Sequence, residues 1–300
     1  MPDQSLKLNA PNPYSLIRTL RLSTLGQRDP TCRLSSDEAN LCWHTPDGPA
    51  SLTTRHSEQQ LTVDAWGQGA GWICDRAAAL LGLQDSTYEF EPTGRVRELC
   101  LQLPGTFLPR LPLIFDRLIQ TVLQQLVSWD DAASGWQRLV QAYGQPAPGP
   151  IDLLLPPSAE QLKALPYYDL VACGILPRQA RLILKLAKEE ARLERLANDS
   201  IDRLSQWLNS VPGIGPWTIQ YVRGTALGDP DAVIVGDYAL PHTVSWFLSQ
   251  KPRSDDQEML MLLAPWKGHR FRVQHLLMQS GITAPRRGPK MKTNRQRFGI

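Results

Sequence analysis

Two aromatic side chains, Trp217 and Tyr221, lie four residues apart, and an aspartate, Asp237, follows in a Gly236-Asp237-Tyr238 loop. Residues at i and i+4 share one helix face. Electron-rich ring faces attract a cation by about 0.5–2 kcal/mol. An aromatic pair at this spacing also packs cores, and an aspartate where a loop enters a helix serves either as an N-cap or in catalysis. Just upstream, Val211-Pro212-Gly213-Ile214-Gly215-Pro216 forms a tight turn between two helical patterns. Gly213 and Gly215 remove side chains from that turn, so an anion can reach backbone N–H groups at a helix N-terminus. A nucleic-acid phosphate is the candidate anion. The other reading is a plain connector between packed helices.

The elements that must position these residues are legible as periodicity. Ile201, Leu204 and Leu208 recur on one helical face before the turn, and Pro216 sits where a first helical residue needs no N–H. Trp217, Tyr221 and Val222 continue that second helix. A turn at Asp229-Pro230-Asp231 leads into the apolar run Ala232 to Val235. Asp237 then lies 22 positions after Gly215, and Pro241 marks a further helix through Val244, Phe247 and Leu248. Earlier, Phe115, Leu118, Ile119, Val122, Leu123 and Leu126 make a strong amphipathic stripe. Ser158-Ala159-Glu160-Gln161 fits a capping box, and Arg178 to Leu196 reads as one long charged helix. Before residue 95, strand-like pieces are expected at Leu16 to Leu22, Leu41 to His44, Ser51 to Arg55 and Leu61 to Ala65. A helix is expected from about Gly71 to Leu81. Gly67-Gln68-Gly69-Ala70-Gly71 is no dinucleotide fingerprint, because its third glycine is misplaced and no strand–helix repeat follows.

Composition sets bounds without naming a function. The 300 residues allow about two domains, and 42% hydrophobic content can build real cores. A net charge of +3 is too mild to argue for nucleic acid, but it is uneven: without Arg286, Arg287, Lys290, Lys292, Arg295 and Arg297 it falls to −3. That basic end reads as flexible, either adding phosphate affinity or aiding solubility. Five cysteines without a CxxC pair suggest neither disulfides nor a thiolate metal site. His269 and His275 do not share a helical face, and no metal is expected. No run approaches membrane-spanning length, so a reduced, cytoplasmic protein is expected.

The hairpin and the loop ending in Asp237 resemble the helix-hairpin-helix (HhH-GPD) DNA glycosylases, in particular the 3-methyladenine DNA glycosylase II branch. Further blocks carry the likeness: Leu103-Pro104-Gly105, Val122-Leu123-Gln124-Gln125-Leu126-Val127-Ser128, Leu162-Lys163-Ala164-Leu165, Cys173 to Ala180, and Ala264-Pro265-Trp266-Lys267-Gly268-His269-Arg270. It covers roughly Leu103 to Leu277. The resemblance implies a mainly α fold: a glycosylase core of two helical lobes after a small α+β (TBP-like) domain. Residues 1–95, 96–285 and 286–300 would then be N-terminal domain, glycosylase domain and basic tail.

What the family implies for single residues follows from the matches. Asp237 is the catalytic carboxylate, Trp217 and Tyr221 line the base pocket, Leu126 is the wedge that replaces a flipped base, and Gly213, Ile214 and Gly215 bind DNA phosphate. On periodicity alone, Leu126 would instead end the core stripe. Bifunctional relatives carry a lysine where Trp217 stands, so a monofunctional enzyme without lyase activity is expected. The implied substrate is double-stranded DNA with alkylated purines of the 3-methyladenine and 7-methylguanine type, acted on by a monomer near the nucleoid. No iron–sulfur cluster is expected, whereas a monovalent cation at the hairpin stays open. Two departures stand out: Gly236 replaces the usual proline before the aspartate, and His275 aligns close to a pocket tryptophan. The alternatives are a catalytically silent DNA-binding protein and a glycosylase for oxidised or deaminated bases.

Overall fold

The computed structural model describes residues 1–285; the basic tail lies outside the described residues. Five strands open the chain: β1 (Gln4–Asn9), β2 (Cys32–Leu34), β3 (Glu38–Thr45), β4 (Gly48–Ser57) and β5 (Gln60–Trp66). They form one antiparallel sheet in the order β1-β5-β4-β3-β2. Alternation sets its faces: Leu61, Val63 and Ala65 point inward along β5. Helix α1 (Leu16–Leu20) lies between the first two strands, and α2 (Ala70–Leu80) covers the sheet with Trp72, Ile73, Ala77 and Leu80. The strand expected at Leu16 to Leu22 is therefore a helix. Leu16, Thr19 and Leu20 are its buried residues, a three-and-four spacing that suits a helix and not a strand.

Helices then take over: α3 (Gly94–Gln102), α4 (Ile114–Leu123), α5 (Trp129–Tyr143), α6 (Ala159–Ala164), α7 (Tyr167–Ala172), α8 (Pro177–Ala187) and α9 (Glu190–Asp199). After them come α10 (Ile201–Asn209), α11 (Pro216–Leu227), α12 (Leu240–Ser249), α13 (Asp256–Leu263) and α14 (Arg270–Ser280). A two-stranded ribbon of β6 (Gln145–Pro146) and β7 (Leu154–Leu155) joins α5 to α6. The fold is mainly α after a small antiparallel sheet.

Helix α4 is the axle of one helical lobe, packed against α5, α8, α9 and α11. It buries Ile114, Phe115, Leu118, Ile119, Val122 and Leu123, each worth about 1.5–3 kcal/mol relative to exposure. The capping box at Ser158 and Gln161 forms as expected. The second lobe gathers α3, α12, α13 and α14 around Phe271, Val244 and Met259. The single helix expected over Arg178 to Leu196 breaks instead at Lys188-Glu189. No proline or glycine forces the break. The turn it makes lets the Glu194 carboxylate accept the first N–H groups of α4, from Ile114 at 3.1 Å and Phe115 at 2.8 Å.

That arrangement makes stability pH-dependent. Burial pushes the Glu194 carboxyl up to about 8, against the backbone N–H donors that lower it. Burial likewise lifts nearby Asp116 to about 7. An acid whose folded pKa is raised holds its proton longer in the folded state, so its contribution is full at low pH and is lost as pH climbs from about 4.5 toward 8. Glu194→Gln is expected to flatten the fall in melting temperature between pH 5 and pH 8. A variant melting curve as pH-dependent as the wild type would refute this.

Candidate active site

The site assembles around the first turn of α11. Gly213 sits at φ +97°, a conformation that disfavours any side chain, and is exposed. Ile214 is buried beneath it and anchors the turn in the core. Gly215 is extended and caps α11, with Pro216 in the first helical turn. An added Cβ at Gly215 would meet nothing within 4 Å, so the helix N-terminus is open to an approaching anion. The Val211 and Gly213 carbonyls accept from Ile214 N and Gln125 Nε2, and each oxygen keeps a second lone pair.

Trp217 and Tyr221 stack along α11 with ring centroids 5.2 Å apart and planes 28° from parallel. Trp217 is half-buried, whereas Tyr221 is buried behind it. Burial, and secondarily the Asp237 charge, raise the Tyr221 phenol, while Arg117 and a Gln124 hydrogen bond pull it down. Gly224, one turn further, has no side chain and so admits the Phe271 ring, which an added Cβ would strike.

The Asp237 loop lies across this turn. Asp237 Oδ2 accepts from the indole N–H of Trp217 at 3.0 Å. Oδ1 accepts from the backbone N–H of Ala239 and of Leu240, each at 2.8 Å. The carboxylate is thus held by three N–H donors, one from α11 and two from the segment that enters α12. One oxygen ties down the entry to α12, and the other accepts from Trp217, with the residue half-exposed.

Gly236 does not loosen this loop. Its φ is +75° and its N–H donates to Asp256 Oδ2 at 2.8 Å. A proline could adopt neither feature, because its ring fixes φ near −65° and removes the donor. Gly236→Pro is accordingly expected to destabilise the protein by about 3 kcal/mol or more. Gly236→Ala, which keeps the N–H, should lose about 1–2 kcal/mol. Thermal or urea unfolding checks this, and a neutral Gly236→Pro would show that the loop can adopt the proline path.

Leu126 does not end the core stripe. Helix α4 stops at Leu123, and Leu126 turns outward, 77% exposed, with φ +58°. The Gln125 side chain links it to the hairpin, donating to Gly213 O at 3.1 Å and to Thr218 Oγ1 at 3.0 Å. The exposed leucine, hairpin, stacked aromatics and aspartate thus share the N-terminal end of α11. His275 stands apart. It is fully buried on α14, stacked on Phe271 and bonded to Gln279 at 2.7 Å. Burial, with the nearby Arg272 charge, pushes its pKa down to about 3, so the ring is neutral. Gln125 and Asp256 have site roles that periodicity did not reveal. Gln125 belongs to the Gln-Gln-Leu-Val-Ser block, but only a long-range contact shows what its amide does. Among the described residues no cluster of His, Cys, Asp and Glu could hold a metal ion, and no helix is long and apolar enough to cross a membrane.

Residues 119–267 match the family described as HhH-GPD superfamily base excision DNA repair protein. The chain is 32% identical over 148 residues to a probable bifunctional transcriptional activator/DNA repair enzyme AlkA of Mycobacterium tuberculosis, covering 48% of this chain and 29% of that one. It is 27% identical over 149 residues to DNA-3-methyladenine glycosylase 2 of Escherichia coli, covering 49% and 53%. The matches thus span about half or less of these relatives. Among solved structures, a 3-methyladenine DNA-glycosylase from Archaeoglobus fulgidus shares the fold, with TM-score 0.80 over 91% of this chain and 97% of that chain at 19% identity.

Proposed function

Because the chain belongs to the HhH-GPD superfamily of base excision DNA repair proteins, we propose that it is a monofunctional DNA glycosylase that excises alkylated purines from duplex DNA. The observation that carries this reading is the half-exposed Asp237 carboxylate bonded to Trp217 on the first turn of α11, which the glycine hairpin leads into. The open N-terminus beyond Gly213 and Gly215 would grip a DNA phosphate. Leu126 would enter the stack and fill the gap left by an everted nucleotide, offsetting part of an unstacking cost of a few kcal/mol.

Alkylation at a purine ring nitrogen makes the base cationic and a better leaving group. The half-exposed Trp217 face, backed by Tyr221, attracts such a cation. As the bond from the sugar C1′ to the base nitrogen breaks, its electron pair leaves with the base and positive charge develops on the deoxyribose. Asp237 stabilises that charge, and water adds to C1′ while its proton passes to the Asp237 carboxylate and from there to solvent. The products are a free base and an abasic site. With Trp217 in the position that holds the lysine of bifunctional relatives, no Schiff base forms there.

A silent DNA-binding protein is disfavoured by the firmly held Asp237, and a glycosylase for oxidised bases by the missing lysine. The protein would act as a monomer in the cytoplasm, on nucleoid DNA. Incubation of the purified full chain with methylated duplex DNA should release free 3-methyladenine and 7-methylguanine, measured by chromatography. No release at enzyme excess would refute the activity, and strand scission without added base would refute its monofunctional character.

A further inference from the structure

We propose that Gln125 is a positioning residue that locks the Leu126 wedge to the glycine hairpin, so that phosphate anchor and wedge act as one rigid unit; the inference rests on the base-flipping function proposed above. Leu126 holds a left-handed backbone, φ +58°, which a branched side chain rarely adopts, and it does so while 77% exposed. Such a conformation persists only where its surroundings over-determine it, and burial of the leucine itself does not do so. The constraint comes from the residue before it. The Gln125 carbonyl accepts from Gln179 Nε2 at 3.0 Å and from Arg178 Nη2 at 3.4 Å. Gln179 is nearly fully buried and fixed in turn, donating to Leu123 O at 3.2 Å and accepting from Leu176 N at 3.1 Å. The peptide that leads into Leu126 is therefore tied to the start of α8.

The side chain of the same residue reaches the opposite way. The Gln125 amide donates to Gly213 O at 3.1 Å in the hairpin and to Thr218 Oγ1 at 3.0 Å on α11, so both of its N–H groups are used. Thr218 is buried and offers a fixed acceptor. Downstream, Ser128 closes the loop by capping α5, accepting from Asp131 N at 3.2 Å. One residue thus joins three bodies: α8 through its carbonyl, the hairpin and α11 through its amide, and the wedge through the chain. Eversion needs the backbone gripped while the wedge advances. A wedge loop free to drift relative to the hairpin would give way instead of unstacking the base, and small displacements of this kind cost large factors in rate.

The test uses the full chain, with Gln125→Leu, Leu126→Ala and the double variant. Thr218→Val approaches the same contact from the other partner, should Gln125→Leu fold poorly. Nucleotide eversion is followed by 2-aminopurine fluorescence beside a tetrahydrofuran abasic analogue in duplex DNA, a readout that needs no bond cleavage. Single-turnover base release is measured in parallel on methylated duplex and methylated single strands. Gln125→Leu should reduce duplex eversion and release by about tenfold, with a loss on single strands at least fivefold smaller. In the Leu126→Ala background it should add almost nothing, because the glutamine acts through the wedge. Equal losses on duplex and single strand, full additivity with Leu126→Ala, or wild-type eversion would overturn the assignment. A wild type that everts but releases no base sinks the proposed chemistry alone; a Gln125→Leu eversion defect under those conditions supports the clamp.

Discussion

Asp237→Asn is expected to lower base release from methylated duplex DNA by about 1000-fold or more, the range in which positioned charge and proton transfer act. The reasoning separates the two functions of the residue. Asparagine keeps an oxygen for the backbone N–H groups of Ala239 and Leu240, which now bond Oδ1, and it is itself a good cap. What disappears is the negative charge beside the developing sugar cation, and the acceptor for Trp217 Nε1, which sits 3.0 Å from Oδ2. The loop should therefore stay folded while the chemistry fails. Melting temperatures measured beside single-turnover rates distinguish the cases. A variant that folds normally and still releases base at the wild-type rate would show that Asp237 is only a cap.

Leu126→Ala should reduce duplex excision by about 10- to 100-fold, because a fully inserted leucine contributes about 1.5–3 kcal/mol through burial and alanine leaves much of the gap unfilled. The free protein should hardly notice, since this side chain is 77% exposed. Leu126→Gly sharpens the point. Glycine adopts φ +58° without the penalty a side chain incurs, so this variant should melt slightly higher than the wild type yet excise less. Opposite signs on stability and activity are the mark of strain retained for function. A Leu126→Gly protein with undiminished duplex activity would exclude the wedge role.

Both predictions concern residues whose place could be expected from sequence and whose geometry could not. Periodicity located the helices on either side of the hairpin, the Pro216 start of α11 and the junction at Asp237, because these are local patterns with local causes. It failed where a distant partner decided the outcome. By spacing, the stripe from Phe115 includes Leu126, yet α4 ends at Leu123 because the Gln125 carbonyl and amide are captured by Gln179 and Gly213. The helix expected through Leu196 breaks because Glu194 is drawn to the N-terminus of α4, some eighty residues earlier in the chain. Leu16 to Leu22, apolar enough for a strand, becomes a helix with its flanking turn because its buried side chains recur at three and four and the sheet finds its other edge in β1, Gln4 to Asn9.

The sequence by itself determined the inventory: a glycine hairpin entering a helix, an aromatic pair on one face, an aspartate at the next helix entry and a family likeness that names their roles. Only the tertiary structure decided that Leu126 faces solvent, that His275 is sealed in the core, and that Gly236 holds its loop where a proline could not. The physical reason is common to all three. Backbone hydrogen bonds and apolar periodicity are written within a few residues, whereas the direction in which a side chain points depends on acceptors and packing partners that meet only when distant segments fold together.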